Sequence, residues 1–376
     1  MSTSLFISRH HCAWLILAIL ALPGLGVFAD DSVSSAPMGY VKLHLQGRTD
    51  NLINIPLLQE AVGIGPVLTA TAHSVSLDNI NWTPDQFAPA TSSPGLSYYA
   101  EISTGQLKGL SYPIVSNTAD TLVLNTGTAT LTSHPLGAVA AHDMVRIRPY
   151  WTIGNVFGAT DTTVSVTPFS SLPTLPQIDS GDSLLLFDPL AIGLEKPPIA
   201  RYAYVQSTGW RSPGDATTNQ ANVVLPPLSP VLVRLHEETG QELVIVGDAF
   251  QVPFRLYVPG GTSQLANDAY LALARSEPVS LADSGLYQTG TVNVVTATTA
   301  ADQRQDLLLA FDPERIGFER PPEHTYFYLT GQGWREAGSS STTVGADVQL
   351  DPTRIYILRK RANSAGQYWL QNGGTP

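Results

Sequence analysis

Gly181-Asp182-Ser183-Leu184 spells the serine motif of a class of esterases. In such enzymes the serine follows a strand, and a histidine paired to an aspartate takes its proton. Here the motif precedes an apolar run instead of following one, and no histidine has an aspartate three residues before it. The histidines beyond the first 29 residues (His44, His73, His134, His142, His236, His324) are scattered, with no i, i+4 pair. That spacing argues against a metal centre. An aspartate-rich turn, Asp179 to Asp182, offers at most weak calcium binding. Asp188 with Glu195, and Asp312 with Glu319, form carboxylate pairs of the kind a glycosidase requires. Each aspartate precedes a proline, however, where a side-chain oxygen commonly fastens a turn. The adjoining Glu195-Lys196 and Glu319-Arg320 read as solvated charge. No catalytic residue, metal site or cofactor is assigned.

Aromatic side chains are the remaining chemistry. Tyr202 and Tyr204 alternate on one strand face, with Trp210 and Arg211 across a hairpin. Tyr326, Tyr328, Trp334 and Arg335 repeat the arrangement. Such rings either stack on sugars, with arginine supplying hydrogen bonds, or pack a sheet as cross-strand pairs. Packing is the expectation and a ligand platform the alternative.

These residues recur because the chain repeats itself. Phe187-Asp188-Pro189, Ile192-Gly193, Pro197-Pro198 and Gly209-Trp210-Arg211 all return 124 residues later, as Phe311-Asp312-Pro313, Ile316-Gly317, Pro321-Pro322 and Gly333-Trp334-Arg335. The offset becomes 125 at Arg234 and Arg359, then 126 at Gly240 and Gly366. A sustained offset marks a duplicated folding unit. Chemistry is therefore to be sought in residues that do not recur.

Short apolar runs broken by Gly, Pro, Asn and Asp read as strands and turns, and no segment carries a long amphipathic helix. Each copy opens on an alternating strand, Val41 to Leu45 and Phe254 to Val258. Each closes on what reads as a hairpin: Val231 to Arg234 with Glu242 to Val246, and Ile355 to Arg359 with Tyr368 to Leu370. From Pro56 to Phe187 is 131 residues, whereas Leu273 to Phe311 is 38. The first copy therefore carries an insertion, with five expected strands at Val67–Thr71, Ser97–Ile102, Tyr112–Val115, Thr121–Leu124 and Met144–Arg148. Five strands in so short a stretch can close into a small barrel. The expected fold is all-β: two tandem β-sandwich or barrel-like repeats, with a small β-barrel inserted in the first. The boundaries read as a first repeat at 38–60 plus 150–250, an inserted domain at 61–149 and a second repeat at 251–376.

Residues 1–29 have the form of a secretory signal peptide. Arg9 precedes the apolar run Trp14 to Leu22, and Val27-Phe28-Ala29 places small residues before a cleavage at Asp30. The run is too short to span a bilayer, so no membrane span is expected after processing. Residues 30–37 read as a disordered lead-in. Cys12, the one cysteine of the chain, falls inside the leader, so the mature chain has neither disulfides nor a thiol nucleophile. The formal charge of −11 speaks against nucleic-acid binding.

The twice-occurring Phe-Asp-Pro, Ile-Gly, Pro-Pro, Tyr-x-Tyr and Gly-Trp-Arg pattern resembles an uncharacterised family of exported bacterial β-rich repeat proteins. So does the block from Tyr98-Tyr99 through Glu101-Ile102 and Pro113-Ile114 to Ile147-Arg148-Pro149. The resemblance implies architecture and export and brings no activity. The expected role is a non-catalytic module of the periplasm, cell surface or extracellular space, used in adhesion or assembly. Another envelope protein, a polysaccharide or a second copy of the chain are the compatible partners. Carbohydrate binding through the hairpin aromatics is the alternative, and a secreted hydrolase the third reading.

Overall fold

The computed structural model describes residues 38–89, 97–288 and 293–372. The expected signal peptide and lead-in lie outside the described residues. The fold is nearly all β, and the longest described helix, Ile153–Phe157, has 5 residues.

The first copy opens with β1 (Met38–Leu45) and β2 (Thr49–Ile53). A barrel follows, built from β3 (Gly63–Ala70), β4 (Ser74–Leu77), β5 (Tyr98–Ile102), β6 (Ser111–Asn117), β7 (Thr121–Leu124) and β8 (Met144–Pro149). The copy resumes with β9 (Trp151–Thr152), β10 (Ser183–Leu186), β11 (Ala200–Val205), β12 (Gly209–Arg211), β13 (Val224–Leu225), β14 (Val231–Leu235) and β15 (Gln241–Asp248). The second copy comprises β16 (Phe254–Val258), β17 (Asn267–Ala272), β18 (Val279–Ser280), β19 (Leu307–Ala310) and β20 (His324–Leu329), then β21 (Gly333–Glu336), β22 (Ser339–Thr343), β23 (Gln349–Leu350), β24 (Ile355–Lys360) and β25 (Gln367–Gln371).

The two copies have the same strand order. In the first, the sheet β12-β11-β10-β14-β2 lies against the ribbon β1-β15. In the second, β21-β20-β19-β24-β17 lies against β16-β25, with β22 added at the edge. Alternation supplies the first core: Val41, Leu43 and Leu45 of the ribbon meet Leu184, Val233, Tyr202 and Trp210 of the sheet. In the second, Val258 and Trp369 meet Leu308, Leu358, Tyr326 and Trp334. Each unit is thus a small sandwich.

The closing strands of each copy differ from the hairpin expectation. β14 pairs with β10 and β2 in the sheet, whereas β15 pairs with β1 in the ribbon. β24 and β25 part company in the same way. The turn between them is an arch from one layer to the other. Both strands must bury an apolar face, and facing each other across the core accomplishes that where pairing edge to edge would not.

The insertion closes into a six-stranded barrel, β3-β4-β7-β6-β5-β8, one strand more than the sequence reading. The additional strand is β4, Ser-Val-Ser-Leu, too short to register as a periodic run. The interior of the barrel takes alternate residues such as Val67, Ala100, Ile102, Ile114, Leu122 and Val145. Tyr99, Glu101 and Arg148, on the opposite pleats, are nevertheless buried. Arg148 donates to Glu101 (2.8 Å) and, from Nη1, to Asp248 (2.7 Å) at the end of β15, as well as to the Gln59 carbonyl. The barrel also meets the second copy. The Arg255 amide donates to the Gly109 carbonyl (2.8 Å), and His134 lies 3.1 Å from the Tyr368 hydroxyl. Among the described residues no helix is long and apolar enough to cross a membrane.

Candidate functional site

The outward pleats of the two main sheets face each other. In the first copy Leu184 and Val233 point to the core, so their neighbours Leu185 and Leu232, paired in register, point away from it. In the second copy Leu309 and Ile357 do the same. Between these faces lies a cleft of about 950 Å³, lined from both copies.

A recurring sequence motif, Ile-Gly-x-Glu, joins the copies across this cleft. Thr49 and Asp50 open β2, and Asn267 and Asp268 open β17. The Gly317 amide donates to Thr49 Oγ1 (3.0 Å) and the Glu319 amide to Asp50 Oδ2 (2.9 Å), while the Asp50 amide donates to the Gly317 carbonyl. Reciprocally, the Gly193 amide donates to Asn267 Oδ1 (3.0 Å) and the Glu195 amide to Asp268 Oδ2 (3.0 Å), while the Asp268 amide donates to the Gly193 carbonyl. Gly193 and Gly317 hold φ near +145° and +141°, a region closed to side chains. Glu195 and Glu319 sit in the left-handed region at φ 48° and 50°, aiming their amides at the aspartates.

Each receiving aspartate is fixed by an arginine of its own sheet. Arg234 grips Asp50 through both nitrogens (2.7 and 2.9 Å), and Arg359 grips Asp268 (2.8 and 2.9 Å). Hydrogen bonding to the carboxylate raises the pKa of both guanidiniums. Planar, two-pronged pairs of this kind are the strong ones.

Two charges expected in solvent lie inside. Lys196 is 9% exposed; its ammonium donates to the Ala191 carbonyl (2.9 Å) and sits 4.8 Å from the centre of the Tyr270 ring. Burial pulls its pKa down, against the opposing pull of Asp268 and Asp188. Arg320 donates to Glu323 (3.1 Å) and to the Asp312 carbonyl. The glutamates of these loops do remain exposed. The reason is the left-handed residue at 195 and 319, which turns the next side chain inward. Arg354, at the mouth of β24, is a site residue the sequence reading missed. Its Nε is buried without a hydrogen-bond partner, and its nearest carboxylate, Asp351, is 3.9 Å away. Burial depresses its pKa as well. Its one sequence signal is that it fails to recur: at the offset linking Arg359 to Arg234, Ser229 takes its place.

The residues singled out by type are placed as follows. Trp210 is 0% and Trp334 2% exposed. They cross Tyr204 and Tyr328 edge-on at 5.5 and 5.6 Å, in the registers Tyr204–Trp210 and Tyr328–Trp334. Tyr202, Tyr204, Tyr326 and Arg335 are buried; Arg211 and Tyr328 are partly so, with Tyr328 stacked on Tyr287 at 3.6 Å. Both aromatic sets therefore pack their own cores, and the expected alternative of an exposed stacking face is not what they form. Tyr204 Oη donates to Asp161 (3.0 Å), and burial with that bond pushes its pKa up to about 12. Asp188 and Asp312 accept the amides of Leu190 and Glu314, two residues on (2.8 and 2.9 Å), as turn-fastening aspartates do. Ser183 is 1% exposed, and its hydroxyl has no partner. Asp182 accepts the amides of Thr167 (2.8 Å) and His236 (2.7 Å), and Asp179 pairs with Arg201, so these carboxylates of the aspartate-rich turn face N–H donors. Among the described residues no group of three or more His, Cys, Asp or Glu is placed to hold a metal.

The fold and cleft define an all-β protein of two apposed sandwiches with an inserted barrel. No family model, curated protein or solved structure matches the chain.

Proposed function

We propose that this chain is an exported, non-catalytic β module that serves adhesion or assembly at the cell envelope. The observation that carries the reading is the reciprocal latch. The repeated loop residues Gly193 and Glu195, with Gly317 and Glu319, bind the other copy through backbone amides. Duplication has here been turned to building one braced scaffold, in which the repeated aromatics fill cores. The leader-like N-terminus and the resemblance of the repeat pattern to an exported family support the export half of the reading.

Fractionation of the native cell, with mass spectrometry of the N-terminus, tests it. The expected result is a chain beginning at Asp30, outside the cytoplasm, and recovered with the cell surface or in multimers on size exclusion. A cytoplasmic pool retaining Met1 would overturn export. A released monomer that neither assembles nor adheres to cells would overturn the adhesion or assembly role.

A further inference from the structure

The cleft between the copies is richer in cations than the chain around it. The protein has 20 Lys and Arg against 31 Asp and Glu, yet the cleft is lined by 7 of those cations and 6 carboxylates. Several of the carboxylates are already committed: Asp50 to Arg234, Asp268 to Arg359 and Asp179 to Arg201. Arg354, Arg304 and Lys196 are left without a hydrogen-bonded carboxylate. The walls between them are apolar: Leu185, Leu232, Leu309, Ile357, Phe187 and Phe311. A cleft of about 950 Å³ is at the upper end of what small-molecule sites enclose.

Three of the cleft's cations do not recur between the copies. Arg354 stands where the first copy has Ser229, and Arg304 where it has Ser180. Arg201 stands where the second copy has Thr325. The latch residues recur because both copies need them to dock. The docking uses the backbone of Arg354, which bridges to Ile53 of the first copy, while the side-chain Nε is buried without a hydrogen-bond partner.

We propose that the inter-copy cleft binds a small amphiphilic carboxylate, its head group on the Arg354 guanidinium and its apolar body along the Leu232–Ile357 walls. A carboxylate accepts two parallel N–H bonds from a guanidinium, and the Arg354 side chain keeps 20% of its surface exposed to meet one. Arg320 is close enough to act on Arg354 as a like charge, while Asp351, Glu314 and the Tyr356 hydroxyl act in the opposite sense. An incoming anion relieves the repulsion between the two arginines. This inference stands apart from the adhesion reading, since a scaffold with or without a surface partner can hold a ligand between its halves.

Titration of the full-length chain with decanoate, decyl phosphate and 1-decanol, each below its aggregation concentration, tests the proposal by calorimetry and by shift of the melting temperature. Decanoate should bind saturably and at least tenfold more tightly than decanol. Arg354→Met should lose at least tenfold in decanoate affinity and leave decanol unchanged, while Lys42→Met, an exposed cation outside the cleft, should change neither. Ile357→Trp, which fills the cleft, should abolish binding of both probes even if Arg354→Met proves too unstable to titrate. Equal affinity for decanol and decanoate, or decanoate binding that survives both cleft variants, would overturn the proposal. A response to decyl phosphate alone would overturn the carboxylate class, and no saturable binding of any probe would overturn the site.

Discussion

In the first copy Asp182 accepts the amides of Thr167 and His236, beside Leu235. In the second, Asp306 accepts the amides of Thr296 and Arg361 and also the ammonium of Lys360 at 2.6 Å. Lys360 occupies the position of Leu235 at the 125-residue offset, and is itself 2% exposed. One fold thus holds the same buried carboxylate twice, once with a counter-ion and once without. The shared role, tying a loop to the last strand of the sheet, needs only the two amides. The ion pair is an addition whose Coulombic gain roughly offsets its desolvation. The barrel's attachments show a parallel contrast: a buried Arg148 triad on the first copy, and a His134–Tyr368 contact on the second.

The largest effects should come from the side chains the copies share. Trp210→Ala and Trp334→Ala should each cost about 3–5 kcal/mol, the usual range for a buried aromatic. Two separate melting shifts would be seen by calorimetry if the copies unfold separately, and one merged shift if the latch couples them. Shifts of under about 1 kcal/mol would mean the rings are not the core members they are described as. Next comes the carboxylate comparison. Asp306→Ala strands the Lys360 charge and should cost about 3–5 kcal/mol, whereas Asp182→Ala leaves only two unpaired amides, at about 1–3 kcal/mol. Equal losses in denaturant melts would break the contrast drawn between the copies. Lys360→Leu, which copies Leu235, should cost less than about 1.5 kcal/mol, because two amides still satisfy Asp306. A loss as large as that of Asp306→Ala would show that the first copy is not a guide to the second.

The smallest expected effect depends on pH. Burial, with Arg255 nearby, lowers the pKa of His134 below its ordinary 6.5. The unfolded chain therefore binds this proton more readily than the folded one. The contribution is intact above about pH 6.5 and is lost as the pH falls from there through the folded value. His134→Gln should flatten that part of the pH–stability curve, measured by melts between about pH 5 and 8. An unchanged curve would remove His134 from the contact's energetics.

How much of this was legible from residues alone varied with range. The shared face of Tyr202 and Tyr204 is legible from alternation, because side chains on one strand face follow a period of two, whereas the register that sets Trp210 against Tyr204 comes from the structure. The turn role of Asp188 and Asp312 was read from the proline beside them. β4 was missed because four residues carry too little period to detect. The arches were misread as hairpins, since a short turn between two apolar strands looks the same whether the strands pair or part. Lys196 and Arg320 were misplaced for a local reason: the left-handed residue before each one reverses the side it faces.

The sequence by itself determined the all-β class, the duplicated order of strands and the presence of an inserted barrel. These follow from short-range patterns, a two-residue period and a repeat offset, that a linear chain displays in full. Only the tertiary structure decided that Gly193 and Glu195 reach Asp268 while Gly317 and Glu319 reach Asp50. The same holds for Arg354 being left with a buried, unpartnered nitrogen in a cleft. Contacts between residues 70 to 270 positions apart leave no local signature. Which partner a buried charge meets depends on how two finished surfaces come together, and the order of residues within either one does not encode that.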